Sequence, residues 1–188
     1  TKGATDIWCD TNNKYSQAWA VAPVQTSTCP AVIYVKDAKS GAKAAEIHTA
    51  GSGGGYSSTP VTMYPEGAKA GHLFIGTYNW SDKKETVTTG HSFASRPYGM
   101  KFWYKYTPYQ TDNFKVEIEI RSGNKVIAGG SYISEAASSA DSEYQEAYIN
   151  LDYQGNMEKA TDLYVYILAT PIPSFGSEDF QKAGPNDL

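Results

Sequence analysis

From Phe114 to Arg121 the chain alternates strictly between apolar and charged residues. Phe114, Val116, Ile118 and Ile120 fall on one side, and Lys115, Glu117, Glu119 and Arg121 on the other. Successive side chains of a strand point to opposite faces, so this run is a strand with one dry and one wet face. Met100 to Thr107 alternates in the same way, with Met100, Phe102, Tyr104 and Tyr106 opposed by Lys101, Trp103, Lys105 and Thr107. So does Tyr144 to Tyr153, where Ala147, Ile149, Leu151 and Tyr153 oppose Glu146, Tyr148, Asn150 and Asp152. Leu163 to Thr170 is apolar on both sides and reads as a central strand, covered on each face.

Further strands are expected near Ile7 to Asp10, Gln17 to Ala22, Ala31 to Lys36, Ala44 to Thr49, His72 to Tyr78 and Lys125 to Ile133. Gly129 and Gly130 interrupt the last and mark a bulge or a close backbone approach. Turn formers fill Gly51 to Gly55, Pro65 to Gly71, Asn79 to Thr89, Thr107 to Asn113, Ser122 to Asn124 and Ser134 to Ser142. Glu135 to Ser142 and Met157 to Thr161 each have room for one helical turn. Roughly ten short strands without a 3.6-residue period argue for an all-β chain folded as a sandwich or a barrel, and an antiparallel two-sheet sandwich is the expected architecture. The expected core is Phe102, Tyr104, Val116, Ile118, Ile149 and Leu151. With 188 residues, no internal repeat and no linker, residues 1–188 read as one domain.

The net charge is −4 and no basic cluster is present, which argues against nucleic acid as a partner. No apolar run approaches the roughly 20 residues of a membrane helix. The chain opens on Thr1, as a mature or trimmed chain with any export signal already gone would. Cys9 and Cys29 form either one bridge between early strands or two buried thiols.

Amphipathic rings dominate the aromatic set, with 15 Tyr and 4 Trp against 6 Phe. A pyranose has an apolar C–H face and a polar rim, so it needs a flat ring and a few fixed polar groups. Tyr56, Tyr78, Trp80, Tyr98 and Tyr109 lie in or beside loops and suit that role, or cap the ends of the sandwich. Trp103 stands among Lys and Glu on a wet face, either covered by a loop or presented to a ligand. If 100–107 and 114–121 pair as a hairpin, Lys101, Trp103 and Lys105 lie beside Glu117, Glu119 and Arg121.

Glu117 and Glu119 share one strand face about 7 Å apart, within the range that glycosidases use. The segment resembles the acidic strand of jelly-roll glucanases, except that Arg121 takes the place of a third acid. His48, His72 and His91 show no metal-ligand spacing, and no serine sits in GxSxG. A structural Ca²⁺ on backbone carbonyls and scattered Asp leaves no signature, so that alternative stays open.

Several blocks together carry a family likeness. They are Ala44-Ala45-Glu46-Ile47-His48-Thr49, Ala70-Gly71-His72-Leu73-Phe74-Ile75-Gly76-Thr77-Tyr78 and Phe93-Ala94-Ser95-Arg96-Pro97. Phe102-Trp103-Tyr104-Lys105-Tyr106-Thr107-Pro108 and Tyr164-Val165-Tyr166-Ile167-Leu168-Ala169-Thr170 complete the set. Over most of its length the chain resembles the putative carbohydrate metabolism domain of surface and secreted proteins from polysaccharide-degrading bacteria. The Trp-Tyr-Lys-Tyr-Thr-Pro block is the most specific part. The resemblance implies a jelly-roll sandwich like the galactose-binding modules, located extracellularly, at the outer-membrane surface or in the periplasm, beside other glycan-utilisation proteins. It implies no catalytic residues. The family pattern closes with a Gly-Ser, hydrophobic, Asp-Asp strand where this chain has Gly184-Pro185-Asn186-Asp187-Leu188, so a final strand is expected to be missing.

The expected function is a non-catalytic module that binds a poly- or oligosaccharide without a cofactor. Trp80, Trp103 and Tyr109 are its candidate stacking rings, and Tyr56 and Arg96 their helpers. The alternatives are a glycoside-active enzyme using Glu117 and Glu119, or an adhesive module that binds protein.

Overall fold

The computed structural model describes residues 9–11, 13, 31–48, 50–52, 56–58, 61–63, 67–69, 71–81, 84–108, 113–134 and 143–169. Every strand pairing among them is antiparallel, and the chain is all-β as its alternation requires. In chain order the strands begin with β1 (Cys9–Thr11), β2 (Val32–Val35), β3 (Ala44–Ile47), β4 (Ala50–Ser52) and β5 (Tyr56–Ser58). Next come β6 (Val61–Met63), β7 (Gly67–Lys69), β8 (His72–Ser81), β9 (Lys84–Thr89) and β10 (His91–Ser92). The last are β11 (Gly99–Tyr104), β12 (Lys115–Ser122), β13 (Lys125–Ile133), β14 (Gln145–Asn150) and β15 (Asp162–Leu168).

One seven-stranded sheet runs β1-β8-β15-β12-β13, with β9 paired to β8 and β10 to β15. The two-stranded sheets are β11-β14, β2-β3, β4-β7 and β5-β6. β15 is central, as its two apolar faces predict: β12 pairs along one edge, and β8 and β10 share the other. Leu163, Val165 and Ile167 face the main core, while Tyr166 and Leu168 are buried on the opposite face, where Tyr166 stacks on Phe74 at 5.3 Å.

The main core lies between the seven-stranded sheet and the β11-β14 pair. Phe114, Val116, Ile118, Ile120, Ile127, Ala128, Ile149, Leu151 and Ala160 are buried there. Phe102, Tyr104 and Tyr132 pack against them, with Tyr104 edge-on to Phe114 at 4.8 Å. All six expected core residues are in this cluster. Burying each aliphatic side chain contributes about 1.5–3 kcal/mol before conformational entropy is counted.

Several expectations need correction. β11 and β12 do not form a hairpin: β11 pairs with β14 in register Phe102↔Ala147, and β12 pairs with β13 and β15. The two strands share the core from opposite layers, so Lys101, Trp103 and Lys105 are not cross-strand neighbours of Glu117, Glu119 and Arg121. Asn79 to Thr89 is not a loop, because β8 runs on to Ser81 and β9 returns from Lys84. The β-branched run Thr86-Val87-Thr88-Thr89 favours a strand and outweighs the polar turn formers before it. Strand also occupies 50–52 and 67–69, inside or beside expected loops. Met157 to Thr161 is irregular and not a helical turn. Cys9 is exposed and unbridged on β1, so it is not a buried thiol. The expected strand at Gln17 to Ala22, the possible turn at Glu135 to Ser142, and Cys29 lie outside the described residues.

The two glycines of β13 divide the roles expected of the pair. The register slips by one residue between Ile120↔Ala128 and Arg121↔Val126, so the bulge lies beside them, at Ile127. Gly130 makes the close approach: a Cβ there would stand 2.5 Å from Ile149 Cγ2 and 2.8 Å from the Asn150 carbonyl oxygen. This contact brings β13 against β14 and holds the smaller sheet over the core.

Candidate functional site

The outward face of β11-β14 is the most ring-rich exposed surface among the described residues. Met100, Phe102 and Tyr104 turn inward, so period 2 sends Lys101 and Trp103 to solvent. On β14, Ala147 and Ile149 turn inward and Glu146 and Tyr148 turn out. The register sets Lys101 opposite Tyr148 and Trp103 opposite Glu146. Trp103 and Tyr148 are therefore diagonal neighbours, about 7–8 Å apart along the backbone. Trp103 is 39% exposed and Tyr148 54%.

Charged groups alternate with the rings. Lys101 Nζ lies 3.3 Å from Glu146 Oε2 and 4.7 Å from the centroid of the Trp103 ring. Beyond Trp103, Lys105 Nζ bonds Asp37 Oδ2 at 2.6 Å and lies 4.7 Å from the centroid of Tyr144. The Tyr144 hydroxyl donates to the Asp37 carbonyl at 2.6 Å, so the β2-β3 connection is tied to this end of the face. The hydrogen bond to Asp37 raises the Lys105 amino group above its ordinary value. Burial opposes that rise, and the charges of Asp37, Tyr144 and Glu143 add to it.

At the other end the Tyr148 phenol lies across Gly99, where any Cβ would collide with its hydroxyl. Tyr98, next to Gly99, is 85% exposed. The 93–98 segment is fastened to the 151–158 loop at several points. Arg96 donates to the carbonyls of Asn156 and Glu158, and its guanidinium lies 4.0 Å from the Tyr153 ring centroid. The Tyr153 hydroxyl donates to the Pro97 carbonyl at 3.1 Å, and the Leu151 N–H to the Tyr98 carbonyl at 2.9 Å. Burial pushes the Tyr153 phenol above its usual value, against the pull of the neighbouring Arg96.

Of the sequence candidates, Trp103 stands on this face. Arg96 directs its donors into the 151–158 loop and not toward the Trp103 ring. Trp80 has its backbone in β8, opposite Glu85, and Tyr56 has its backbone in β5, opposite Met63. The side chains of both, and all of Tyr109, lie outside the described residues. Sequence reasoning did not single out Tyr148, Tyr144 or Asp37. The alternation of 144–153 already sends Tyr148 outward, whereas Asp37 comes from a distant hairpin and carries no local signal.

Glu117 and Glu119 lie on the face of β12 opposite the main core, and that face is not the wet one expected, because their side chains are only 16% and 18% exposed. Each carboxylate is held by a cation of its own strand. Lys115 Nζ lies 3.4 Å from Glu117, and Arg121 donates to Glu119 at 2.6 and 2.8 Å. Arg121 also lies 4.1 Å from the Tyr164 ring centroid. The backbone of Gly90 crosses that ring too closely to leave room for a Cβ there, at 2.6 Å. No group of three or more His, Cys, Asp or Glu residues able to hold a metal assembles among the described residues.

An all-β protein with antiparallel sheets, carrying exposed rings and paired charges on a strand face, is the class that fold and site define. The chain belongs to the family described as putative carbohydrate metabolism domain, whose model matches residues 1–125. That match takes in β1 to β12 and ends on the first residue of β13, so β14, β15 and the block at Tyr164 to Thr170 lie beyond it. No curated protein and no solved structure matches the chain.

Proposed function

We propose that the protein is a non-catalytic carbohydrate-binding module that serves glycan utilisation outside the cytoplasm. The observation that carries this reading is the exposed pair Trp103 and Tyr148 on one strand face, flanked by Lys101 and Glu146. Flat rings offer an apolar surface to the C–H face of a sugar, and the ion pair offers donors and acceptors to its hydroxyls. Family membership supports a role in carbohydrate metabolism. Trp80, Tyr109 and Tyr56 are further rings for a chain-like ligand, and Arg96 serves by fixing the loop beside Tyr98. The galactose-binding-like jelly roll is the sandwich type proposed from the family resemblance, as is a setting at the cell surface, in the periplasm or in the medium. The site as proposed needs no cofactor.

A glycoside-active role for Glu117 and Glu119 receives less support, because each carboxylate is already matched to a cation two residues away. Calorimetric titration against a panel of polysaccharides tests the proposal. Binding to at least one polymer is expected, and Trp103→Ala should weaken it by about tenfold or more, the usual effect of truncating an aromatic anchor. Unchanged affinity in both Trp103→Ala and Tyr148→Ala would remove the face from consideration.

A further inference from the structure

We propose that the ligand is an uncharged glycan, and that Glu146 and Asp37 keep anionic polysaccharides off the Trp103–Tyr148 face. The inference rests on the binding role just described. It follows from how the cations of this face are occupied. Lys101 is paired with Glu146 at 3.3 Å and Lys105 with Asp37 at 2.6 Å. In the second pair the acid is the outer partner, with its side chain 68% exposed against 30% for the lysine. In the first the two are equally open, at 53% and 48%. An approaching carboxylate or sulfate therefore meets a carboxylate as early as it meets an ammonium group.

Arg96, at the Tyr98 end, does not replace them. Arg96 is bonded to the carbonyls of Asn156 and Glu158 and stacked on Tyr153. Glu143, exposed beside Lys105, adds negative charge at that end. The whole chain carries −4, which repels polyanions at long range. For a neutral sugar the same pairs are useful. A hydroxyl both donates and accepts, an ammonium only donates and a carboxylate only accepts. A Lys–Glu pair beside a ring thus presents both complements of a hydroxyl array with no net charge.

The test is affinity electrophoresis and calorimetry on the full chain with two groups of polymer. The neutral group is a mixed-linkage β-glucan, a xylan and a galactomannan; the acidic group is polygalacturonate, alginate and a sulfated galactan. Each is run at about 20 mM and about 200 mM salt, where the screening length differs roughly threefold. A neutral polymer is expected to bind best, with little dependence on salt. The double variant Glu146→Gln, Asp37→Asn frees both lysines without changing shape. It should raise affinity for acidic polymers by about two- to fivefold at low salt, the scale of an exposed ion pair, and lose that gain at high salt. Tighter, salt-sensitive binding of acidic polymers by the native chain would overturn the inference while leaving the binding role intact. So would a double variant with no gain. Failure of both groups to bind would remove the binding role itself, and this inference with it.

Discussion

At the scale of single residues, the sequence revealed which way a side chain points but not what it meets. Alternation sent Trp103 outward, and the ring is exposed, with Lys101 over one face. Arg96 shows the other side of this: its loop position fitted a ligand-binding helper, yet its donors close a contact with residues 60 and 62 positions further along the chain. Two residues at opposite ends of the face carry a pH signature. Lys105 has its pKa raised above the ordinary 10.5 by Asp37, so its pairing stabilises the fold fully below the unfolded value and is lost as pH rises through the folded one. Tyr153 has its pKa raised above 10.0 by burial, so above pH 10 the unfolded chain releases that proton first and stability falls again. Both effects have one sign. The melting temperature should fall as pH rises beyond about 10, and Tyr153→Phe should fall less steeply than the native chain. A native melting temperature that rises over this range would contradict both assignments.

At the scale of strands, periodicity is legible and pairing is not. The bounds of β13 match the expected run residue for residue, β12 and β15 lie within one or two residues of theirs, and β11 and β14 each stop three residues short of the expected C-terminal end. The expected β11-β12 hairpin failed for a physical reason. An inward apolar face says that a strand covers the core, but it does so equally well beside its sequence neighbour or across from it. Which one occurs is decided by contacts far along the chain, such as Met100↔Ile149 and Gly99↔Asn150. Gly130 is one such determinant. Gly130→Ala should destabilise the fold by about 1–3 kcal/mol, since Ile149 and the Asn150 carbonyl must both give way. Gly129→Ala should be close to neutral, because a Cβ there finds its nearest neighbour at an ordinary 3.4 Å. Denaturant unfolding of the two variants measures the contrast, and equal losses would show that β13 and β14 do not approach as described.

At the scale of the whole molecule, the fold is closed by its last strands. β15 joins β12 to β8, and β14 is the partner of β11, yet both lie beyond the residues matched by the family model. A fragment ending at Lys125 would leave β11 without its partner and both β8 and β12 without β15. It should lack a cooperative thermal transition by circular dichroism, and a sharp transition would show that the matched residues fold alone. The two-faced apolar run at 163–170 made a central strand readable in the sequence. The site was less readable, because it combines β11, β14 and the β2-β3 connection, segments separated by up to 107 positions between Asp37 and Tyr144.

The location of the glycan surface is best tested by assigned backbone amide spectra of the full chain, titrated with whichever polysaccharide binds. Shift changes should concentrate at Lys101 to Lys105 and Tyr144 to Tyr148, with Asp37 and Tyr98 at the margins. Changes confined to Glu117, Glu119 and Tyr164 on the far side of the large sheet would show that sugar is held elsewhere.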